Sequence, residues 1–455
     1  MENKVNQQAE NKMGVMPVGR LILTMSLPVM ISMLVQALYN VVDSMFVSRI
    51  DEYALTALSM AFPIQNLMIA VSVGLGVGIN AVLSRALGAK DSKSVNHAAA
   101  GGIFLMVLCS AAFILGGVTI VRPFFEAQTD IVPIVEYGVS YTRIVMVGCF
   151  GLFMQILFER LLQSTGRTML TMTSQGLGAI VNIVLDPILI FGLFGLPRMG
   201  VAGAALATII GQWMSAALGL WMNVRMNPEV SMDMRGVKLH GPTIRRILTI
   251  GVPSVIMQSI GSVMTFCMNQ ILIAFSSTAV AVFGVYFRLQ SFVFMPVFGM
   301  NNGTVPIIAF NYGARKPDRM MKTIRISVVS VFIIMSLGTL LFQLLPRELL
   351  LLFDASEEMI RLGVPALRII SVHFPIAAIC IGMGAVFQAV GFSVYSMIIS
   401  IIRQLVVLIP CAFVLGRVTG TVDAVWWAFI IAEMFSLLLT GMFFTRIYRN
   451  VISKL

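Results

Sequence analysis

Charged residues are scarce in this chain, and that scarcity excludes a water-soluble protein. Only 11% of the 455 residues are Asp, Glu, Lys or Arg, whereas 58% are hydrophobic. A soluble domain carries about 25% charged and about 45–50% apolar residues, so this chain lacks the polar surface that would keep it in water. The composition therefore predicts a protein that crosses the membrane many times.

The chain also lacks the residue patterns of several other protein classes. Its five cysteines lie in apolar segments without close pairs, which predicts buried thiols rather than disulfides or a zinc site. It contains no G-x-x-x-x-G-K-[ST], H-E-x-x-H or G-x-S-x-G motif, so we expect neither an enzyme nor a cofactor. The polar N-terminus has no apolar signal-peptide core, and we expect the first hydrophobic segment to direct insertion.

Long hydrophobic segments make up most of the sequence. About 20 apolar residues cross a hydrocarbon core about 30 Å thick, and twelve segments meet that requirement. We predict an all-α membrane protein with twelve transmembrane helices, six in residues 20–224 and six in 245–446. A polar linker at 225–244 joins the halves, and polar tails occupy 1–19 and 447–455.

The two halves repeat each other at a constant offset of 225 residues. LILTMSLP at 21–28 corresponds to RILTIGVP at 246–253, and GAK at 88–90 corresponds to GAR at 313–315. Six helices per repeat return the second half to the same side of the membrane. We therefore predict two parallel repeats that form two pseudo-symmetric six-helix bundles.

Basic residues concentrate on one side of the predicted topology. The net charge is +11, and the linker at 225–244 and the segment at 315–325 contribute strongly to the basic excess. The positive-inside rule then predicts a multi-pass cell-membrane protein with both termini in the cytoplasm. Because these residues face an anionic lipid leaflet, the charge requires no nucleic acid partner.

The first predicted helix carries an acid near membrane depth, where an ionisable side chain costs at least ~2.5–3.5 kcal/mol. In QALYNVVDSMF at 36–46, the side chains of Gln36, Tyr39 and Asp43 share one helical face. Asn40 lies beside them. Either this polar stripe faces a water-filled cavity, or Asp43 is solvated at the end of the helix.

The fifth predicted helix carries a second polar stripe with an acid. Asn182 and Asp186 lie one turn apart on a face shared with Gln175. Two such stripes would together line one aqueous cavity. Two carboxylates and an amide oxygen suit a hard monovalent cation, and two adjacent acids also favour a shared proton.

Aromatic residues and a third acid extend the candidate site. Glu159 precedes Arg160, so it either forms a local ion pair or faces the cavity as the counter-charge of an organic cation. Phe62, Phe153 and Phe158 are predicted to line a pocket that tolerates ligands of different shapes.

The second half carries charges of a different kind. We expect Glu433 to form a structural pair with Arg288 or Arg403, and His373 to be a hydrogen-bonded interior residue. The position equivalent to Asp43 is Met268. The predicted ion site therefore lies in the first half.

The sequence resembles the MATE family of multidrug and toxic-compound exporters. The resemblance covers essentially the whole chain and rests on VVDSMFVSRI at 41–50, VNIVLDPILIFG at 181–192, GAALAT at 203–208 and FNYGAR at 310–315. It implies two six-helix lobes that form a V with a central cleft. It also implies antiport of organic cations against sodium ions or protons.

In one branch of that family, the cation site lies in the first lobe. Its ligands are an Asp on the first helix, an Asn and an Asp on the fifth and a Thr on the sixth. The resemblance thus implies an H⁺ or Na⁺ site at four positions: Asp43, Asn182, Asp186 and Thr208. Gln36 and Tyr39 match cavity residues of the family, and Glu159 replaces a family Asn, which favours cationic substrates.

Three functions fit these observations. The leading hypothesis is a monomeric antiporter of cationic drugs and dyes, surrounded by membrane lipid. The alternative is a flippase for lipid-linked oligosaccharides or peptidoglycan precursors, whose anionic pyrophosphates would need basic residues such as Arg288 and Arg403. The third hypothesis is a receptor or scaffold that transports nothing.

Overall fold

The computed structural model describes residues 11–50, 52–232 and 239–455, in which no strand occurs. After the short helix α1 (Lys12–Val15), the first bundle follows. Its helices are α2 (Val18–Ser48), α3 (Glu52–Gly88), α4 (Ser92–Thr119), α5 (Val121–Glu126), α6 (Val132–Val147), α7 (Phe150–Ser164), α8 (Thr168–Phe191) and α9 (Val201–Met226).

The second bundle follows the same order. Its helices are α10 (Gly241–Ile273), α11 (Ser277–Gly313), α12 (Pro317–Leu344), α13 (Pro346–Leu351), α14 (Glu357–Ser371), α15 (Phe374–Ala389), α16 (Ser393–Ile401), α17 (Ile409–Thr419) and α18 (Val422–Asn450). A π-helical turn at Ile402–Leu408 joins α16 to α17, so the two form one span.

Twelve membrane spans are present when two bent helix pairs are each counted as one. Ten spans are continuous in the described part of the chain, and the bent spans are α6 with α7, at 45°, and α14 with α15, at 48°. The second bend precedes Pro375, whose missing N–H and ring geometry disfavour a continuous helix. The predicted all-α, twelve-span fold is confirmed.

The helix boundaries reproduce the repeat found in the sequence. Helices α3 and α11 are both 37 residues long, and α4 and α12 are both 28 residues long. The two bent pairs also occupy equivalent places in the two bundles. The pseudo-symmetry therefore extends from residue identity to the length and bending of the helices.

Glycines allow the two bundles to contact each other closely. A Cβ atom on Gly74 of α3 would lie 2.6 Å from the backbone nitrogen of Val255 in α10. A Cβ atom on Gly299 of α11 would lie 2.6 Å from the Cα atom of Met30 in α2. Because the repeat converts one pair into the other, this contact is a pseudo-twofold interface.

The contacts between the bundles extend from one end of the molecule to about the middle of α3. They include Gly313 of α11 against Arg85 near the end of α3. Farther along α3, Asn66 donates a hydrogen bond to the Ser262 hydroxyl of α10 at 2.8 Å. We call the end at which α2 and α10 begin the apex of the V-shaped molecule.

Helix α1 connects the two bundles at the apex. Arg319 of the second bundle donates to the carbonyl oxygen of Met16 at 2.7 Å. On the other side, Asn11 donates to a carboxylate oxygen of Glu229 at 2.6 Å. Burial in this junction lowers the pKa of the Lys12 ammonium below its ordinary value. The segment before the first span is therefore part of the interface between the bundles.

We expect Gly74→Ala and Gly299→Ala each to lower the thermal stability of the purified protein in detergent. The added methyl group meets backbone atoms that cannot rotate away, and such overpacking costs about 1–3 kcal/mol. Gly284→Ala is the matched control, because a Cβ there meets no atom within 4 Å. That control should gain up to about 1 kcal/mol from helix propensity. Equal midpoints for all three variants in thermal unfolding would contradict the close contact.

Candidate functional site

A cavity of about 80 Å³ lies inside the first bundle, between α2, α7, α8 and α9. We call it the first-bundle cavity. Its polar lining includes Gln36, Tyr39, Gln155, Gln175, Asn182 and Thr208. The two polar stripes predicted from the sequence therefore meet at one cavity, as the matching faces of α2 and α8 indicated.

Asp43 and Asp186 form a pair near this cavity, and their carboxyl groups lie within hydrogen-bonding reach of each other. Asp186 has no exposed surface. Apart from this mutual contact, the buried oxygens Asp43 Oδ1 and both Asp186 Oδ atoms have no partner among the described residues. Because ionised carboxylates only accept hydrogen bonds, the pair requires a proton or another cation between its oxygens.

Two tyrosines lie beside this acid pair. Tyr39 of α2 and Tyr141 of α6 interact electrostatically with both Asp43 and Asp186. The hydroxyl group of Tyr141 also accepts a hydrogen bond from Gln65 of α3 at 2.8 Å. The acid pair is thus enclosed by residues of several helices, which disfavours the alternative of a solvated Asp43 at a helix end.

Close packing of α8 on α9 brings the next pair of site residues together. A Cβ on Gly211 of α9 would lie 2.7 Å from the carbonyl oxygen of Gly178 in α8. This approach lets Asn182 donate to the hydroxyl oxygen of Thr208 at 3.4 Å. The oxygen Asn182 Oδ1 is buried without a partner among the described residues, so it is available to a ligand one helical turn from Asp186.

Two glutamines hold the buried carboxylate of Glu159. Gln155 donates to its Oε1 atom at 2.9 Å, and Gln175 donates to its Oε2 atom at 2.7 Å. Arg160 instead donates to Gln163 at 2.8 Å. Glu159 thus reaches the cavity through two glutamines that line it, and it also interacts electrostatically with Arg160. Sequence reasoning missed Gln155, although it lies one turn before Glu159 on the same helical face.

The predicted aromatic lining is corrected at two positions. Phe153 has no exposed surface and Phe158 is 7% exposed, and both pack in the core of the first bundle. Neither residue lines the cavity, because both rings pack against neighbouring helices. Phe62 is 59% exposed on α3, so its role in ligand binding stays a prediction. The side chain of Asn40 lies outside the described residues.

Glu433, the acid that the sequence singled out in the second bundle, is paired within the protein. Arg403, in the π-helical turn, forms an ion pair with the buried Glu433 at 3.4 Å. His373 is buried, and its Nδ1 atom lies 2.6 Å from the carbonyl oxygen of Ile370. Both predictions are confirmed, whereas Arg288 is exposed. All five cysteines are free thiols; Cys149 and Cys380 are buried as predicted, whereas the other three are only partly buried.

Two repeats of six helices, with a pair of buried acids beside a cavity in the first repeat, are typical of a membrane transporter. The MatE family model matches residues 28–188 and 253–414, which are the equivalent parts of the two repeats. These segments cover more than half of the chain, and the chain belongs to the MatE family. Members of this family are transporters rather than enzymes.

Curated relatives span nearly the whole chain. The multidrug export protein MepA of Staphylococcus haemolyticus is 27% identical over 415 residues, which are 90% of this chain and 89% of that protein. A FAD transporter of Shewanella oneidensis is 25% identical over 412 residues, or 89% of each chain.

Solved structures share the same fold. An outward-facing multidrug resistance MATE family transporter of the MOP superfamily has a TM-score of 0.92 and 25% identity. The alignment covers 99% of this chain and 100% of that one. A MOP superfamily transporter from Pyrococcus furiosus, described as having a binding pocket of reverse polarity, has a TM-score of 0.89, 25% identity and the same coverage.

We expect Glu433→Gln to destabilise the second bundle, because it leaves the partly buried Arg403 charge without its counter-ion. The cost should be about 3 kcal/mol, the lower end for a broken buried pair, since the Arg403 side chain is 22% exposed. Thermal unfolding in detergent measures the effect. Replacing both residues with methionine should recover most of the lost stability, and a double variant as unstable as the single one would contradict this account.

Proposed function

We propose that this protein is a multidrug efflux antiporter that exports organic cations in exchange for H⁺ or Na⁺ by alternating access. The observation that carries the proposal is the buried pair of Asp43 and Asp186, whose oxygens lack partners among the described residues. The relatives named as multidrug exporters support it. The acids near the cavity support a cationic substrate.

The antiport follows from competition for the same negative charge. The pair formed by Asp43 and Asp186 is stabilised by one bound cation, and Glu159 adds a third acid near the cavity. When the coupling ion neutralises the pair, an organic cation loses most of its electrostatic attraction. The coupling ion and the organic cation therefore do not bind the acids tightly at the same time. The free-energy difference between binding one and binding both couples the transport of one to the transport of the other.

The proposed ion site consists of Asp43, Asn182, Asp186 and Thr208. A proton needs one carboxylate oxygen, whereas Na⁺ needs several oxygen ligands at once. The amide oxygen of Asn182 and the hydroxyl of Thr208 supplement the two carboxylates. In the described residues no group of three or more His, Cys, Asp or Glu side chains is placed to hold a metal ion. The set accordingly suits a monovalent ion.

The proposed orientation places both termini in the cytoplasm. The apex then faces the cytoplasm, where the basic segments contact anionic lipid, and the V opens outward. We keep the division into tails at 1–19 and 447–455, lobes at 20–224 and 245–446, and a linker at 225–244. A monomer suffices, because one chain contains both lobes and the cavity.

Anionic substrates are a weaker match to this cavity. A lipid pyrophosphate or a flavin nucleotide would bring phosphate groups toward Asp43, Asp186 and Glu159. Of the two arginines that would favour such a ligand, Arg403 is neutralised by Glu433, and Arg288 lies on α11 outside the lining of the first-bundle cavity. The flippase alternative is therefore not favoured.

We expect Asp43→Asn and Asp186→Asn each to abolish gradient-driven transport of an organic cation, with a loss of at least about tenfold, equivalent to 1.4 kcal/mol. Either change removes the charge that both ligands need. Asp423→Asn is the matched control, because Asp423 is exposed at the start of α18. Uptake of a dye cation into proteoliposomes, with expression and folding checked, measures the effect. Normal transport by both cavity variants would falsify the role of the pair.

We expect Thr208→Val to distinguish the coupling ions. The change removes an oxygen ligand of Na⁺ but leaves both carboxylates able to carry a proton. If Na⁺ is the coupling ion, sodium-driven uptake should fall about tenfold or more. If H⁺ is the coupling ion, pH-driven uptake should persist. Proteoliposomes with a sodium gradient and a pH gradient imposed separately give the answer. Failure of both gradients to drive the unmodified protein would refute antiport.

A further inference from the structure

We propose that the first-bundle cavity selects cations that donate N–H hydrogen bonds, such as guanidinium, amidinium and primary ammonium groups, over quaternary ammonium groups. This inference rests on the proposed export of organic cations and narrows the class of substrate. Its basis is a set of buried hydrogen-bond acceptors at the cavity that have no partner among the described residues.

Three hydroxyl donors of the lining are already engaged with the backbone. Ser32 donates to the carbonyl oxygen of Pro28 at 2.9 Å, and Thr208 donates to that of Ala204 at 3.1 Å. Ser215 likewise donates to the carbonyl oxygen of Ser174 at 2.7 Å. Since each hydroxyl has one hydrogen, these three groups can only accept a hydrogen bond from a ligand.

The orientation of Gln175 is fixed by Glu159. A carboxylate accepts hydrogen bonds and does not donate them, so the amide group of Gln175 must direct its NH₂ toward Glu159 Oε2, at 2.7 Å. Its carbonyl oxygen then lies on the other side of the amide. That oxygen, Gln175 Oε1, is buried and has no partner among the described residues, and Gln175 lines the cavity.

A second amide carbonyl has the same property. Asn182 is 3% exposed, its Nδ2 group is engaged with Thr208, and its Oδ1 atom is buried without a described partner. Gln175 and Asn182 lie two helical turns apart on α8, and both line the cavity. Gln175, Asn182 and Asp186 lie on one face of α8, and Asp43 lies on the adjacent helix α2. The oxygens of these four residues form what we call the acceptor row. A ligand that brings several donors would satisfy them.

The cationic groups differ sharply in what they can donate. A guanidinium group carries up to five N–H donors in one plane, and an ammonium group carries three. A quaternary ammonium group carries none, so it would cover buried acceptors without hydrogen-bonding them. A site built to hydrogen-bond a substrate rejects the analogue that lacks the partner group, because its own polar atoms remain unsatisfied.

The size of the cavity limits recognition to the head group. Its volume is about 80 Å³, whereas pockets that enclose a whole drug-sized ligand occupy about 300–1,000 Å³. A planar cationic head group fits this volume, and the body of the ligand extends beyond it. Selection therefore depends on the chemistry of the charged group, while the rest of the molecule can vary.

The test compares benzylguanidinium with benzyltrimethylammonium, which share one ring and one charge. We expect the purified protein in detergent to bind benzylguanidinium at least about tenfold more tightly, equivalent to 1.4 kcal/mol, as measured by isothermal titration calorimetry. Equal or weaker binding of benzylguanidinium, or binding of neither cation, overturns the inference. Because calorimetry needs no ion gradient, a tenfold preference without gradient-driven transport would refute the proposed antiport and still support this inference.

A variant locates the source of the preference. Gln175→Met keeps the length of the side chain and removes the unpartnered carbonyl, so benzylguanidinium binding should weaken severalfold while benzyltrimethylammonium binding is retained. The retained binding also shows that the variant is folded. Gln128→Met is the matched control, because Gln128 is exposed and bonds to Phe124 outside the cavity. An equal loss for both cations, or no loss for either, would assign the preference elsewhere and contradict the proposed acceptor row.

Discussion

The buried contact between Asp43 and Asp186 is the interaction on which the rest of this structure depends. Two ionised carboxylates cannot remain in hydrogen-bonding contact inside an apolar bundle without a positive charge between them. No basic side chain of the described residues forms an ion pair with either acid. In the proposed antiport, the charge balance is therefore left to ligands that bind and dissociate. A transporter needs this property, because a permanently paired acid could not exchange one cation for another.

The interface between the bundles complements this site. Gly74 and Gly299 bring helices into backbone contact where ordinary side chains would hold them apart. Rigid helices with small residues at the contact can rock as units, and the repeat gives each bundle the same contact surface. The acid pair lies within one bundle rather than between the two. Helix α2 carries Asp43 and also packs against α11 of the second bundle, so it connects the acid pair to the interface.

The sequence predicted the features that follow from the cost of polar groups in lipid, such as the spans and the buried acids. It missed the features that depend on how side chains pack. An acid inside a membrane span is costly, so Asp43 and Asp186 stand out in the sequence. The helical period then places Gln36 on the same face as Asp43, and Asn182 on the same face as Asp186. Neutral residues such as Gln155 carry no comparable signal, because a glutamine can serve a loop, a helix surface or a site. The helix bends, and the end of the molecule at which the two bundles meet, depend on contacts between residues that are far apart in the sequence. Aromatic rings fill cores and cavities equally well, which explains the errors at the two core phenylalanines.

The two repeats have diverged in how they treat buried charge. In the second bundle, Glu433 is neutralised by Arg403, and the position equivalent to Asp43 holds Met268, which is fully buried in the core. That bundle therefore has no need of an exchangeable cation at this position. In the first bundle, the acids keep unpartnered oxygens next to a cavity. The two bundles are thus similar scaffolds that differ in charge. In the second, Arg403 neutralises the buried acid, and Met268 stands where the first bundle has Asp43. Among the described residues, the asymmetry leaves unpartnered buried acid oxygens in the first bundle and none in the second.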